Sequence, residues 1–167
     1  MIVLQITQLK NFMNRLLCTE TFDRFPVSEV SITTFTTFSI DGTFHMDFFD
    51  TETAQELSKW GRTQLLWLDI KKFCYFVIRG KQTPLQFKIV FQLPQKNCEK
   101  LILDHALPFE ADQIFGLFLN FQYNGEKLLL TTGTSLKVFT MDKSLDHAFD
   151  DAVKNFLLKQ EISFEEL

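Results

Sequence analysis

At 167 residues and a net charge of −4, the chain is sized for a single domain and is too acidic overall to hold nucleic acid by bulk charge. Its twenty phenylalanines bring large apolar area with no polar atom to satisfy and no proton to exchange, which points to an aromatic core. The three cysteines, Cys18, Cys74 and Cys98, are too far apart for a zinc motif and odd in number, so they read as reduced, buried thiols on apolar helical faces of a cytoplasmic protein.

In chain order, Ile2 to Ile6 reads as a strand that begins directly after Met1, with no basic segment or long apolar run of a signal peptide. Thr7 is placed as an N-cap, and Leu9, Phe12, Met13, Leu16 and Leu17 follow as a helical stripe. Residues 27–38 are rich in Thr, Val, Ile and Phe and read as extended. Asp41-Gly42 is a hairpin signal, with a returning strand over 43–49. Thr53 and Glu56 fit a capping box for a short helix over 54–60. Leu66, Ile70, Phe73, Cys74 and Val77 recur at helical spacing before Gly80, although the short apolar run 73–78 also admits a strand.

Residues 88–93 read as a strand and Pro94 opens a helix through Ala106 that Pro108 closes. Residues 113–123 turn extended, Asn124-Gly125 marks a primed hairpin turn, and strands follow over 127–132 and 135–141. Asp142 or Ser144 caps a last helix, acidic at its start and basic at its end, and the tail 161–167 reads as frayed. The whole is an α+β domain of two strand-helix-meander (βαβββ) repeats. They span about 2–49 and 87–141, with a helical insertion over 50–84 and a C-terminal helix over 143–159. An antiparallel sheet with its helices on one face follows, and its open edges invite self-association.

No catalytic motif is present by pattern. The serines lack a Gly-flanked elbow, and Gly133-Thr134-Ser135 lacks the second glycine and lysine of a phosphate loop. Leu-Asp-His-Ala occurs at 103–106 and 145–148, but adjacent Asp and His point about 100° apart on a helix and do not chelate together. Only Asp146 and Asp150 have ligand-like spacing, and no metal or cofactor is expected. Lys71, Lys72, Arg79 and Lys81 cluster around one helix, where they solvate its polar face and complement its C-terminus, or else meet phosphate. Lys10 and Arg15 on the first helix, with Lys96 and Lys100 on the third, would form a basic face if the repeats are related by a twofold, and so a candidate DNA contact. Trp60, Arg62, Trp67, Tyr75 and Arg79 are the alternative candidates, as a ligand pocket in the insertion. No run is long enough to span a membrane.

The order strand, helix, meander, twice over, resembles a DNA sliding-clamp domain. The features that carry it are Phe91-Gln92-Leu93-Pro94, Gly116-Leu117, Asn124 to Leu128 and Thr131-Thr132-Gly133. Bacterial clamps carry Asp-Gly-His-Arg-Leu where Thr132 to Leu136 stands here. The resemblance implies helices that offer basic residues to DNA in a ring of several copies. Residues 32–42 and 132–150 also resemble a family of small uncharacterised bacterial proteins, which implies a cytoplasmic location and no activity. The functional expectation is a non-catalytic binding or scaffold module, with a small ligand binder or enzyme as the alternative.

Overall fold

A computed structural model describes all residues, 1–167. The strands are β1 (Val3–Ile6), β2 (Val27–Thr33), β3 (Thr37–Ile40), β4 (Gln86–Gln92), β5 (Ile114–Tyr123), β6 (Leu128–Leu136) and β7 (Phe164–Glu166). The helices are α1 (Leu9–Cys18), α2 (Thr51–Lys59), α3 (Trp67–Ile78), α4 (Gln95–Asp104) and α5 (Ser144–Lys159). All strand pairs are antiparallel, in the order β3-β2-β4-β5-β6-β1-β7.

The period of two in the strands decides which face is covered. Leu4 and Ile6, Val30 and Ile32, Phe87, Ile89 and Phe91, Leu119 and Phe121, and Leu128 and Leu130 are all buried. Their neighbours Gln5, Ser31, Lys88, Asn120 and Thr131 point to the opposite, solvated face. The helices cover the apolar face only. The phenylalanines concentrate there: Phe12 of α1 stacks near Phe121 at 4.8 Å, and Phe22 meets Phe91 at 5.2 Å and Phe156 of α5 at 5.7 Å. Phe87 and Tyr123 stack across β4 and β5 at 5.2 Å.

The class, the antiparallel sheet, the single helical layer and the C-terminal helix are as the sequence indicates. The meanders are shorter than expected, each segment running strand, helix and hairpin, and the two segments are wound differently: β4 pairs with β5 of its own hairpin, whereas β1 is separated from β2 by three strands and pairs with β6. Residues 43–49 form no strand. Gly42 takes φ +73° and lies so close to β2 that a Cβ would sit 2.4 Å from the Val27 and Ser28 carbonyls, so the chain leaves the sheet there. The reversal falls earlier, at Thr34 to Thr36 between β2 and β3. In the second unit β6 runs to Leu136 and the chain departs over 137–143, with Phe139 in solvent. At Asn124-Gly125 the turn is centred one residue on. Asn124 pairs with Lys127 through its backbone, Gly125 alone takes positive φ, and the Asn124 carboxamide accepts from the Glu126 and Lys127 N–H groups.

Residues 73–78 are helix: α3 carries Cys74 and Ile70 inward and ends at Arg79. Asp50, not Thr53, caps α2, its carboxylate accepting from the Thr53 N–H at 2.7 Å. The tail is not frayed, because β7 pairs with β1 from Phe164 to Glu166. Asp146 and Asp150, four apart on α5, reach Thr134 and Thr132, two apart on β6. The Thr132 hydroxyl donates to Asp150 at 2.5 Å, and the Thr134 hydroxyl donates to Asp146. One helical turn and one strand repeat are nearly equal in length, so the two rows match. Their ligand-like spacing is a docking register for α5. Although burial works against it, the Thr134 hydroxyl and Lys143 hold the Asp146 carboxyl below the ordinary carboxylate range.

Candidate functional site

A concavity lies on the helical side, between α4, α5 and the connection from α1 to β2. It encloses about 780 Å³. Its floor is the exposed flank of the phenylalanine cluster, Phe25 and Phe156 at 5.4 Å, with Leu101, Leu119 and Phe149 beside them.

Each wall is fixed by local chemistry. The connection 19–26 is held as a rigid wall although it is neither helix nor strand. Thr19 donates back to the Arg15 carbonyl at 2.7 Å, and Thr21 donates to Gln160, just past the end of α5, at 3.3 Å. Phe22 is fully buried, and Asp23 pairs with Lys71 of α3 at 2.6 Å. Lys71 also donates to the Thr19 carbonyl at 3.1 Å. Backbone bonds from Leu68 to Asp23 and from Trp67 to Phe25 add α3 as a buttress. The α4 wall begins at Pro94, which suits a helix start because its missing N–H would have no partner there. α4 turns Cys98 and Leu101 inward and ends with Ala106 in the left-handed region at φ 48°. α5 supplies Ala152, Phe156 and Lys159.

The rim carries charge of both signs. Arg24, Lys100 and Lys159 take part in no ion pair, and neither do Glu20, Asp104 and Asp151. His105 lies at the end of α4 on the same rim. The side-chain hydrogen bonds join no serine, threonine or cysteine in the groove to an imidazole, and three metal-ligating side chains gather nowhere in the chain. The arrangement can bury an apolar body and meet polar groups at its edge. It shows no activated nucleophile.

Of the four residues predicted as a basic face, Lys100 lies on this rim, Lys10 and Lys96 are exposed, and Arg15 is tied to Glu161 at 2.7 Å. Their helices share one face of the sheet, but α1 packs beside α3 and α4 beside α5. The five candidates in the insertion are also dispersed. Trp67 is fully buried, donating its indole N–H to the Leu16 carbonyl at 2.8 Å. Trp60 is 76% exposed. Arg62 pairs with Asp69 at 2.6 Å and lies over Phe44. Tyr75 carries Arg79 over its ring at 5.7 Å, and Arg79 lines a second concavity at the C-terminal end of α3.

Among the thiols, Cys74 and Cys98 are buried as expected and Cys18 is exposed, because it ends α1 where the chain turns away from the core. Burial pushes the Cys74 thiol up to about 12 and raises that of Cys98 as well, with Glu99 adding to it.

A family model described as "Family of unknown function (DUF5721)" matches residues 15–165. The chain belongs to this family. No curated protein and no solved structure matches it. All the groove's walls, from Glu20 to Lys159, fall within the matched DUF5721 residues. The groove residues were missed from sequence because they come from three distant segments. Lys100 alone was among the sequence-derived candidates.

Proposed function

We propose that this DUF5721 protein is a non-catalytic binding module and that the groove between α4 and α5 takes a small amphipathic molecule. The observation that carries this is an aromatic floor in a cleft of about 780 Å³ whose rim charges are unpaired. That volume is in the range of small-molecule sites, typically about 300–1,000 Å³, which combine apolar walls with a few polar anchors. Free charges of both signs suit a ligand whose apolar part lies on Phe25 and Phe156 and whose polar end is zwitterionic or carries several hydrogen-bonding groups.

A thermal-shift panel of aromatic amino acids, nucleosides and acyl-amino acids tests it, run on the parent chain and on Ala152→Trp, which fills the groove from α5. A ligand at a hundredfold excess over its Kd adds about 2.7 kcal/mol, or roughly 5–10 °C in Tm for a chain this long. The proposal expects at least one such shift in the parent and none in the variant. No shift across the panel, or a shift that survives the substitution, counts against it.

A clamp-like, DNA-facing role is the second reading. What supports it is that α1 and α4 lie on the same face of an antiparallel sheet with Lys10, Lys96 and Lys100 exposed. It requires DNA binding that weakens steeply with salt and is lost when the three lysines are reversed to Glu. Absence of binding at low salt removes it.

A further inference from the structure

Two blocks of the sequence are opposite in charge and unmixed. Residues 41–58 contain five acidic residues, Asp41, Asp47, Asp50, Glu52 and Glu56, and no Lys or Arg. Residues 70–88 contain five basic residues, Lys71, Lys72, Arg79, Lys81 and Lys88, and no acid. Within the chain they do not neutralise each other. Lys71 pairs with Asp23 and Lys88 with Glu29, while Lys72, Arg79 and Lys81 form no ion pair, nor does any acid of the first block.

Each block also exposes aromatic rings. The basic block lines an open bay of about 700 Å³ between the β2–β3 hairpin and the C-terminal end of α3. Phe35 and Phe76 stand in it at 92% and 70% exposed, with Phe38 and Leu85 beside them and Arg79 and Lys81 on its edge. The acidic block presents Phe48, 84% exposed, between exposed Asp47 and Asp50.

The two blocks are anchored at opposite ends of α3. Arg62 lies over Phe44 and pairs with Asp69 in the first turn, while Arg79 follows the last turn. Twelve residues of helix span about 18 Å, so the matching surfaces are separated by about that length along the molecule.

We infer that the occupant of the bay is a second copy of this chain, which inserts Phe48 between Phe35 and Phe76 and brings Asp47 and Asp50 to Arg79 and Lys81. The contact is head-to-tail. It leaves a free bay at one end and a free Phe48 at the other, so it propagates into a short filament or closes as a ring. A nucleic-acid strand fits the bay less well. Only two cations, Arg79 and Lys81, line it, and the chain carries a net charge of −4. Both surfaces of the proposed contact are, by contrast, present in this chain in complementary form.

Sedimentation velocity on the full chain tests this, with the concentration raised to about 1 mM at low and at high salt. The expected result is a mass that grows with concentration and falls with salt. Arg79→Glu combined with Lys81→Glu, and separately Phe48→Ser combined with Asp47→Lys, each give a monomer. All four positions are exposed, so circular dichroism should show both variants folded. Mixing the two variants is the decisive step. The charge-reversed bay cannot receive Phe48 but its chain keeps an intact acidic block. The other variant keeps an intact bay, so an equimolar mixture forms a dimer and stops there. A monomer under all conditions overturns the inference. So does association that both variants retain, the expected sign of pairing between sheet edges, or a mixture that stays monomeric. Binding of oligothymidine by the bay without self-association also overturns it, in favour of a nucleic-acid ligand.

Discussion

Trp67 joins three elements, and replacing it with Phe should cost more than any other single aromatic trim at a position the sequence leaves open to a pocket. Its ring is fully buried and meets Phe91 edge-on at 5.4 Å. Its indole N–H donates to the Leu16 carbonyl, one of the last four of α1 and so without a partner inside its own helix. Trp67→Phe leaves that buried carbonyl unsatisfied, at about 1–3 kcal/mol. It also leaves a void the size of the lost pyrrole portion, for which a further ~1 kcal/mol is reasonable given that whole-ring deletions cost 3–5 kcal/mol. The sum is about 2–4 kcal/mol. In urea, with a slope of about 2 kcal/mol per molar, the midpoint should fall by roughly 1–2 M with the slope unchanged. Trp60→Phe, at a position 76% exposed, should stay within about 0.5 kcal/mol. The two tryptophans are the only ones in the chain, so each variant leaves a single tryptophan; far-ultraviolet circular dichroism should follow both unfolding curves. If Trp67→Phe unfolds with the parent, or Trp60→Phe is the more damaging, the α1–α3 packing described here is wrong.

Three further outcomes follow from single positions. Gly42→Ala should destabilise by more than about 2 kcal/mol in the same urea assay, since a methyl at φ +73° would also press on two backbone carbonyls that cannot turn aside. Ala106→Gly should stabilise by up to about 1 kcal/mol, because Ala106 holds the left-handed position after α4 that glycine adopts without strain. For the thiols, Cys18 should react promptly with a disulfide reagent in the native protein and Cys74 only on unfolding. The Cys74 thiol is raised in the folded state from 9.0 to about 12, so its contribution to stability is complete below pH 9 and is lost as pH rises from 9 to 12. Cys74→Ser should remove that part of the alkaline decline.

The helices and most strands were legible because their burial is local in pattern. Phe12 and Leu16, or Ile70 and Cys74, repeat at helical spacing and are buried as such. The absence of a third meander strand from each unit was not legible. Residues 43–49 and 137–141 have extended-looking composition, but pairing depends on where the chain is sent, and Gly42 sends it off the sheet through a contact with residues 27 and 28. Cys18 was misplaced because the apolar stripe of α1 outlasts the core it faces. The groove was illegible for a different reason. Phe25, Leu101 and Phe156 look like ordinary core residues in their own segments, and only the docking of α5 on Thr132 and Thr134 turns their exposed flanks into one surface.

The most direct test of the groove is a titration of the native protein with anilinonaphthalene sulfonate, an aromatic body bearing one charge that fluoresces on reaching apolar surface. It should be done in a Phe76→Ser background, so that the bay at the end of α3 does not contribute. A binding module of the kind proposed gives a saturable rise in emission with one site per chain, and Ala152→Trp abolishes it. No rise, or a rise that Ala152→Trp leaves intact, would contradict the assignment.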